Sequence, residues 1–469
     1  MRQDALINNP ELKRNAWLEF SSGRLIAMPI ILFAIFLLVF LYGNSGSDVK
    51  VAQDLRSASM VMFILIATVW GSKRASEAVI GELNDRTWDC QRLTLISPWV
   101  MSIGKLFGST MYNWYGGGIC LLVYIYSSLQ LPDIDQSLKS AVLLVLISIF
   151  LHSFVISMSL IGVNKNRSSS KVKSTFYFLM ALVIGGYLAY YVPSMFGLNP
   201  KSLYWYGVEF QVLHFSMMSI FLFTIWSITG LYRNMRTELQ FRNGPLVWYA
   251  FLIFIIIYSM GFVTIELYYR AALIVPVRFY LAFSILLAII YYMVFNESKY
   301  IVDFRQLIDY FRTRQFKLLL HAAPIWLLTL FVAIPVAVIG VLLYIIVPHF
   351  SIDGDIAITY PLVLLGFVVR DICFVLYMNL GEKAKRADIT ALVYLLLFYA
   401  LIPGILNSAD FDEALILFLP DPDGSFIAIV PILLQVVAIF YLLSNRYEER
   451  NKAIDQRASN INKDHLSRA

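Results

Sequence analysis

RLIAMPIILFAIFLLVFLYG, residues 24–43, carries one charge at its first position and none after it. A hydrocarbon layer about 30 Å thick is crossed by roughly 20 apolar residues in an α-helix, which pairs its own backbone groups where no water can. The run therefore reads as a membrane span, and the rest of the chain is read in the same solvent. Of 469 residues, 59% are hydrophobic, 15% aromatic and 14% charged, and the mean hydropathy is +0.70, which excludes a water-soluble globule. Long uninterrupted runs, rather than short alternating ones, exclude a β-barrel.

Working outward, twelve such runs can be marked, at about 24–43, 57–72, 106–129, 140–162, 174–192, 212–232, 246–265, 278–295, 324–348, 359–380, 389–406 and 425–444. The expected fold is an all-α polytopic membrane protein of about 12 transmembrane helices. Of the 37 Lys and Arg residues, 30 fall in alternate connecting segments beginning with the N-terminal one. Cationic flanks are retained on the cytoplasmic side, so both termini are expected there, in a plasma (inner) membrane. The opposite loops lean acidic, with Asp133, Asp135, Asp353, Asp355, Asp410, Asp412, Glu413, Asp421 and Asp423. The net charge of +6 thus follows from topology, and without a basic stripe interleaved with aromatics it implies lipid headgroups and no nucleic acid.

Tyr190, Tyr191, Tyr204, Trp205 and Tyr206 fit an aromatic girdle at one outer interface. The N-terminus has no short apolar core followed by a cleavage site, so the first span is expected to stay as an anchor. Cys90, Cys120 and Cys373 are too scattered for a disulfide framework or a zinc site and read as packing residues. His152 and His214 lie within spans and His321 and His349 near span ends, without metal-ligand spacing. DPDGS at 421–425 has the start of a calcium loop but not its later ligands, and reads as an outer turn. Gly116, Gly117, Gly118, Gly185 and Gly186 read as places where helices approach closely. No metal and no cofactor is expected on this chain.

Residues 1–23 read as an amphipathic interfacial helix: Asn9 can cap a helix starting at Pro10, with Leu12, Ala16, Trp17 and Phe20 on one face. Residues 24–235 and 236–445 read as two six-helix bundles, followed by a charged tail at 446–469. The loop at 296–323 has Ile301, Phe304, Ile308 and Phe311 at helical spacing, opposite Asp303, Arg305, Gln306, Asp309 and Arg312. Long polar loops begin near 73 and 296, and the next ones on that side near 163 and 380. These offsets, 223 (296 less 73) and 217 (380 less 163), suggest two pseudo-repeated halves.

Between the second and third runs lies GELNDRTWDCQRLTLISPWVMSIGKLFGST, residues 81–110. Ser97 followed by Pro98 is a helix-start signal, so the chain bends there and the third span begins beyond it with Trp99 at the interface. Lys105 is expected to snorkel to headgroups. The pattern E-x4-T-W-x4-L-x3-S-P-x5-G-K-L-x-G, written by Glu82, Thr87, Trp88, Leu93, Ser97, Pro98, Gly104, Lys105, Leu106 and Gly108, resembles the first cytoplasmic loop of ABC-2 type transporter permeases. The N-terminal segment resembles that family's elbow helix. The resemblance implies the permease subunit of an ATP-driven exporter, whose loop 73–98 docks on a separate ABC ATPase subunit. Glu82, Asp85, Arg86, Thr87, Trp88, Ser97 and Pro98 would then form the docking loop, with Glu82 pairing to a basic partner residue and Thr87 and Trp88 filling a cleft.

Two features depart from the family: about twelve spans instead of six, and a second loop without the T-W and S-P elements. If the two halves are repeats, a single chain forms the whole membrane domain; if they are not, the extra spans are an appended domain. No G-x4-G-K-[ST] loop occurs, so ATP and Mg are expected on the partner and this chain is not itself an enzyme. The alternative is a secondary, ion-coupled carrier of the major-facilitator kind, whose G-x-L-x-D-R signature is echoed by Gly81, Leu83, Asp85 and Arg86. A carrier of that kind needs midspan charge, and Arg370 with Asp371 in the tenth run is the candidate intramembrane polar site. As sequence neighbours they are not expected to neutralise one another, so the pair is either a substrate or coupling site, a structural pair satisfied by adjacent spans, or the early end of that span.

Overall fold

The computed structural model describes residues 9–43, 48–94, 96–165, 174–175, 177–180, 182–184, 202–263, 274–297, 299–346, 360–381, 386–420 and 429–468. The protein is an all-α membrane protein, with one hairpin among the described residues. Nine helices among the described residues are long and apolar enough to cross a bilayer. By its contacts the chain divides into two compact units, 1–203 with 209–243 and 204–208 with 244–469.

In the first unit, α1 (Pro10–Glu19) precedes α2 (Ser22–Gly43). The next span, Asp48–Asn84, is α3 (Asp48–Phe63), a π-helical turn at Ile64–Trp70, and α4 (Gly71–Asn84). After the short α5 (Trp88–Arg92) come α6 (Pro98–Gly108), α7 (Met111–Ser128), α8 (Ile134–Lys165) and α9 (Val212–Glu238). The run expected at 106–129 is thus not one helix. It starts eight residues earlier, at Pro98, and breaks at Ser109 and Thr110, whose hydroxyls donate to the carbonyls of Lys105 (2.7 Å) and Leu106 (2.8 Å). The run at 174–192 lies mostly outside the described residues.

A π turn frees carbonyls that lipid cannot satisfy, so its neighbours must supply donors. Asn113 on α7 donates to the Ile66 carbonyl at 3.0 Å, and Nε2 of the buried His152 on α8 lies 2.9 Å from the Ala67 carbonyl. A β-carbon on Gly71 would stand 2.5 Å from that imidazole. Gly117 on α7 likewise faces Ala67, where an added β-carbon would stand 2.9 Å away, and one on Gly116 would stand 3.0 Å from Ile66 and Met28, whereas Gly118 faces nothing. Gly185 and Gly186 lie outside the described residues.

Strands β1 (Ser202–Trp205) and β2 (Val208–Gln211) pair across Tyr206 (φ 52°) and Gly207 (φ 78°). Two central residues with positive φ match the right-handed twist of a tight hairpin. Tyr206 is held there by its hydroxyl on the Ile257 carbonyl (2.7 Å) and by the Arg278 guanidinium 4.9 Å above its ring.

In the second unit, α10 (Leu246–Met260) is apolar but only 15 residues long, shorter than the run expected at 246–265. It is followed by α11 (Ile274–Asn296), α12 (Ile301–Arg312), α13 (Phe316–Ala322), α14 (Ile325–Ile346) and α15 (Tyr360–Asn379). Then come α16 (Ala387–Leu396), a second π turn at Leu397–Leu401, α17 (Ile402–Ser408) and α18 (Ile429–Arg468). The core joins Phe283, Leu286 and Ile290 of α11 to Ala333 and Ala337 of α14 and to Ile372 and Val375 of α15. Helix α12 forms where the periodicity put it, but Leu307 rather than Ile308 turns inward, and Phe311 is exposed. The charged stretch expected as a tail continues α18, and Arg446 and Arg450 donate to the terminal carbonyls of α15 at Tyr377, Leu380 and Gly381. The acidic stretch 421–425 lies outside the described residues.

Candidate functional site

The loop expected to dock, 73–98, is not a loop throughout: α4 carries the second span on to Asn84, because Ala75, Val79 and Ile80 are buried in the bundle, and the turn begins only there. Arg86 takes φ 60°, and the Arg86 and Thr87 amides return to the carbonyls of Leu83 (3.2 Å) and Glu82 (2.9 Å). This pair of bonds closes a helix with a left-handed residue, a position that glycine usually fills. The chain then makes the single turn of α5, and Ser97 caps α6 by accepting from the Val100 amide, with Pro98 in the first turn, as the S-P signal requires.

Two side chains of the expected docking surface face inward. Trp88 is 1% exposed, and its indole N–H donates to Glu238 Oε1 at 3.2 Å, beside Arg92, whose Nε donates to the Glu238 backbone carbonyl at 3.1 Å. Glu82 is ion-paired to both Arg14 and Lys105. Neither is placed to enter a partner's cleft; they fix the loop to its own bundle. Asp85, Arg86 and Thr87 remain exposed, together with Asn84, Asp89, Cys90, Leu93 and Thr94. Leu93 is 85% exposed. Cys90 is exposed too, unlike the buried Cys120 and Cys373, and so is no packing residue.

Lys105 does not reach toward headgroups. It is 1% exposed, lies 2.8 Å from Glu11 Oε1, pairs with Glu82 and sits 5.5 Å above the Trp88 ring. Arg14 closes the cluster on Glu11 at 2.9 Å. Two carboxylates and two cations make it neutral, which is the condition under which charge is tolerated in a bundle. The partners converge because α1 lies on α6 with its polar side inward. Asn9 accepts from the Glu11 and Leu12 amides and donates to the Val100 carbonyl at 2.8 Å. Glu11 and Asn15, one helical turn apart, rest on Gly104 and Gly108, where an added β-carbon would come within 2.6 Å and 2.9 Å of them. The apolar side of α1 faces out, with Trp17 90% exposed. The G-K-L-x-G element is therefore a seat for α1 with a lysine at its centre.

The second place is in α15. Arg370 and Asp371 are both buried within the span, so the span does not end early. They do meet: the guanidinium folds back so that Nε and Nη2 lie 2.9 Å and 2.8 Å from Asp371 Oδ1. Helix geometry separates the backbones of neighbours, but the long arginine stem spans the gap. Nη1 donates to Gln435 Oε1 of α18 (2.7 Å) and Nη2 to the Tyr399 hydroxyl (3.0 Å). Asp371 Oδ2 accepts from the hydroxyls of Tyr291 on α11 (2.7 Å) and Tyr399 in the second π turn (2.6 Å). Phe367 and Tyr399 cover the guanidinium with their rings. The pair is satisfied by adjacent helices, as buried charge requires. Both tyrosines also line a cavity of about 650 Å³, otherwise walled by aliphatic and aromatic side chains.

No known protein family, curated protein or solved structure matches the chain. Sequence reasoning missed Glu11 and Glu238 at the first place, and Tyr291, Tyr399 and Gln435 at the second. Gln435 was the readable signal, a lone amide in an otherwise apolar stretch. Tyrosines in a chain that is 15% aromatic gave none. Among the described residues, no three His, Cys, Asp or Glu residues gather as a metal would require.

Proposed function

We propose that this chain is the permease subunit of an ATP-driven transporter of the ABC-2 kind, with a separate ATPase docked on the turn at 84–94 and with both termini cytoplasmic in the plasma membrane. The observation that carries this reading is the turn itself: an exposed tip of Asp85, Arg86, Thr87, Cys90 and Leu93, stapled to the bundle through Trp88, Glu82 and Lys105. A handle that passes motion from a partner to a bundle has to be accessible at its tip and stiff at its base. Nucleotide-driven closure of the partner would displace the tip, and the bundles would rock between inward- and outward-open forms.

We propose twelve crossings: the nine long helices, α6 with α7 as one broken crossing, α10, and the apolar run that the sequence places at 174–192. The same packing recurs in both units, which supports two repeated halves in one chain. In the first, α3 packs on α7 and α8 on α9; in the second, α11 packs on α14 and α15 on α18. These are the second-on-third and fourth-on-sixth crossings of each half. An ion-coupled carrier is the second reading, favoured by the buried Arg370 and Asp371.

Cys90, the exposed native cysteine, supplies the test. The full-length protein in nanodiscs is labelled with a maleimide in the presence and absence of a P-loop ATPase encoded beside its gene. Docking slows labelling of Cys90, and a charge reversal at Asp85 and Arg86 restores the rate. If no ATPase protects Cys90 and vesicle uptake runs on an ion gradient without nucleotide, the carrier reading replaces this one.

A further inference from the structure

The cavity in the second unit has one polar wall, and its hydrogen bonds restrict what can bind. Among its walls are Leu287, Phe367, Leu395 and Ala400, with Tyr291 and Tyr399 supplying the hydroxyls. An ionised carboxylate only accepts, so the protons of both hydroxyls are committed to Asp371 Oδ2. The Tyr399 oxygen also accepts from Arg370 Nη2, so what is left toward the cavity is a lone pair on Tyr291. A ligand that meets it must bring a donor.

Net charge on a ligand is disfavoured for separate reasons. An anion would need Arg370, but each of its three nitrogens already serves Asp371, Gln435 or Tyr399, and the guanidinium lies behind the tyrosines and Phe367. A cation would need Asp371, whose Oδ1 faces Arg370 and whose Oδ2 is capped by the two hydroxyls. The remaining wall is apolar, and the volume lies in the roughly 300–1,000 Å³ range of ligand pockets. Leu392 and Leu396 line the cavity and are each more than half exposed, which leaves it open along α16. The π turn builds the site: its wider coil carries Tyr399 to Asp371 and puts Ala400 at the cavity edge.

We infer that this cavity binds a neutral, single-tailed amphiphile drawn from the bilayer, an uncharged lipid alcohol or amide, whose one hydrogen-bond donor rests on the hydroxyl oxygen of Tyr291. The inference stands on this geometry alone and does not depend on the transport reading.

The test uses the full-length protein in nanodiscs and a diazirine-bearing hexadecanol, with cross-links mapped by mass spectrometry. Labelling is expected in 392–400, saturable and displaced by hexadecanol, with hexadecane and hexadecanoate weaker by fivefold or more. Tyr291→Phe removes one acceptor and is expected to weaken the alcohol about two- to tenfold, the worth of one neutral hydrogen bond, while leaving hexadecane unchanged. Ala400→Trp fills the cavity without touching the charged cluster and is expected to abolish labelling. Equal competition by hexadecane, stronger competition by hexadecanoate, or undiminished labelling in Ala400→Trp would overturn the inference.

Discussion

Replacing Lys105 by Met keeps the stem that fills the space between α1, α4 and α6 and removes only the charge. Glu11 and Glu82 are then left facing Arg14 alone, one negative charge too many in a cluster whose inner members, Lys105 and Glu11, are 1% and 3% exposed. Removing one partner of a buried pair costs about 3–5 kcal/mol. Glu82 and Arg14 keep some contact with solvent, so the lower end applies, about 3 kcal/mol. At 1.4 kcal/mol per decade this is roughly a hundredfold in the opening of α1 from its seat. Hydrogen exchange reads that opening locally: amides of 10–19 lose about two decades of protection while those in the core of α8 keep theirs. The double change Lys105→Met with Glu82→Gln restores neutrality, leaving Glu11 with Arg14. It is expected to recover about 2 kcal/mol of the loss, a coupling within the range seen for residues in one network. Unchanged protection in Lys105→Met, or a double variant worse than the single one, would show that the cluster does not hold α1.

Three other outcomes follow from the same structure. Arg86→Gly relieves a left-handed residue and is expected to stabilise the first unit by about 0.5–1 kcal/mol in detergent unfolding while weakening ATPase protection of Cys90, which separates the fold of the turn from its use. Gly104→Ala places a β-carbon within 2.6 Å of Glu11 and is expected to cost about 1–3 kcal/mol, seen as faster proteolysis of α1. Glu297, which accepts from the Ile325 amide at the start of α14, is pushed up by burial to about 7 from an ordinary 4.5, against the pull of the Ile325 and Trp326 amides and Lys299. The folded state therefore holds this proton where the unfolded state has lost it. Stability from this group falls as pH rises from about 4.5 to about 7, and Glu297→Gln is expected to flatten unfolding over that window.

How much of this could be read beforehand depended on whether the deciding physics was local. Solvent class, most spans, the Asn9 and Ser97 caps and the Pro98 bend were legible because run length and capping residues act within a few positions. The hairpin at 202–211 was also legible, as SLYW and VEFQ around a Tyr-Gly turn, but it was overlooked because aromatics in a membrane chain suggested a girdle. The direction of side chains such as Trp88, Lys105 and Arg370 was not legible. Each is decided by partners 65 to 150 positions away or by the flexibility of its own stem, and neither leaves a trace in periodicity. For α1, the apolar pattern was legible, but not that its polar face would be the one seated on α6. In a bilayer the apolar face turns outward to lipid, and it is the polar face that packs.

That inversion links the anchor of the turn to its proposed use. In water a handle would be fixed by burying apolar surface, and a push could be absorbed by side chains sliding over one another. Here the base of the turn is fixed by Glu82 and Lys105, and the same two groups reach Glu11 and Arg14 on α1. Ionic contacts of this kind have few alternative partners inside the bundle, so they hold or break and do not slide. A displacement at Arg86 is therefore passed to α1, α4 and α6 as one body. Since α1 exposes Trp17 and Leu18 on its outer side, its movement also carries those side chains through whatever surrounds that face. A turn cut loose from Lys105 would still present Asp85, Arg86 and Leu93, and would bind a partner as before. Held to α9 through Trp88 and Arg92 alone, it would no longer carry α1 with it. Binding without coupling in Lys105→Met, read as Cys90 protection with loss of ATP-dependent transport, is the phenotype that separates a handle from a mere docking patch.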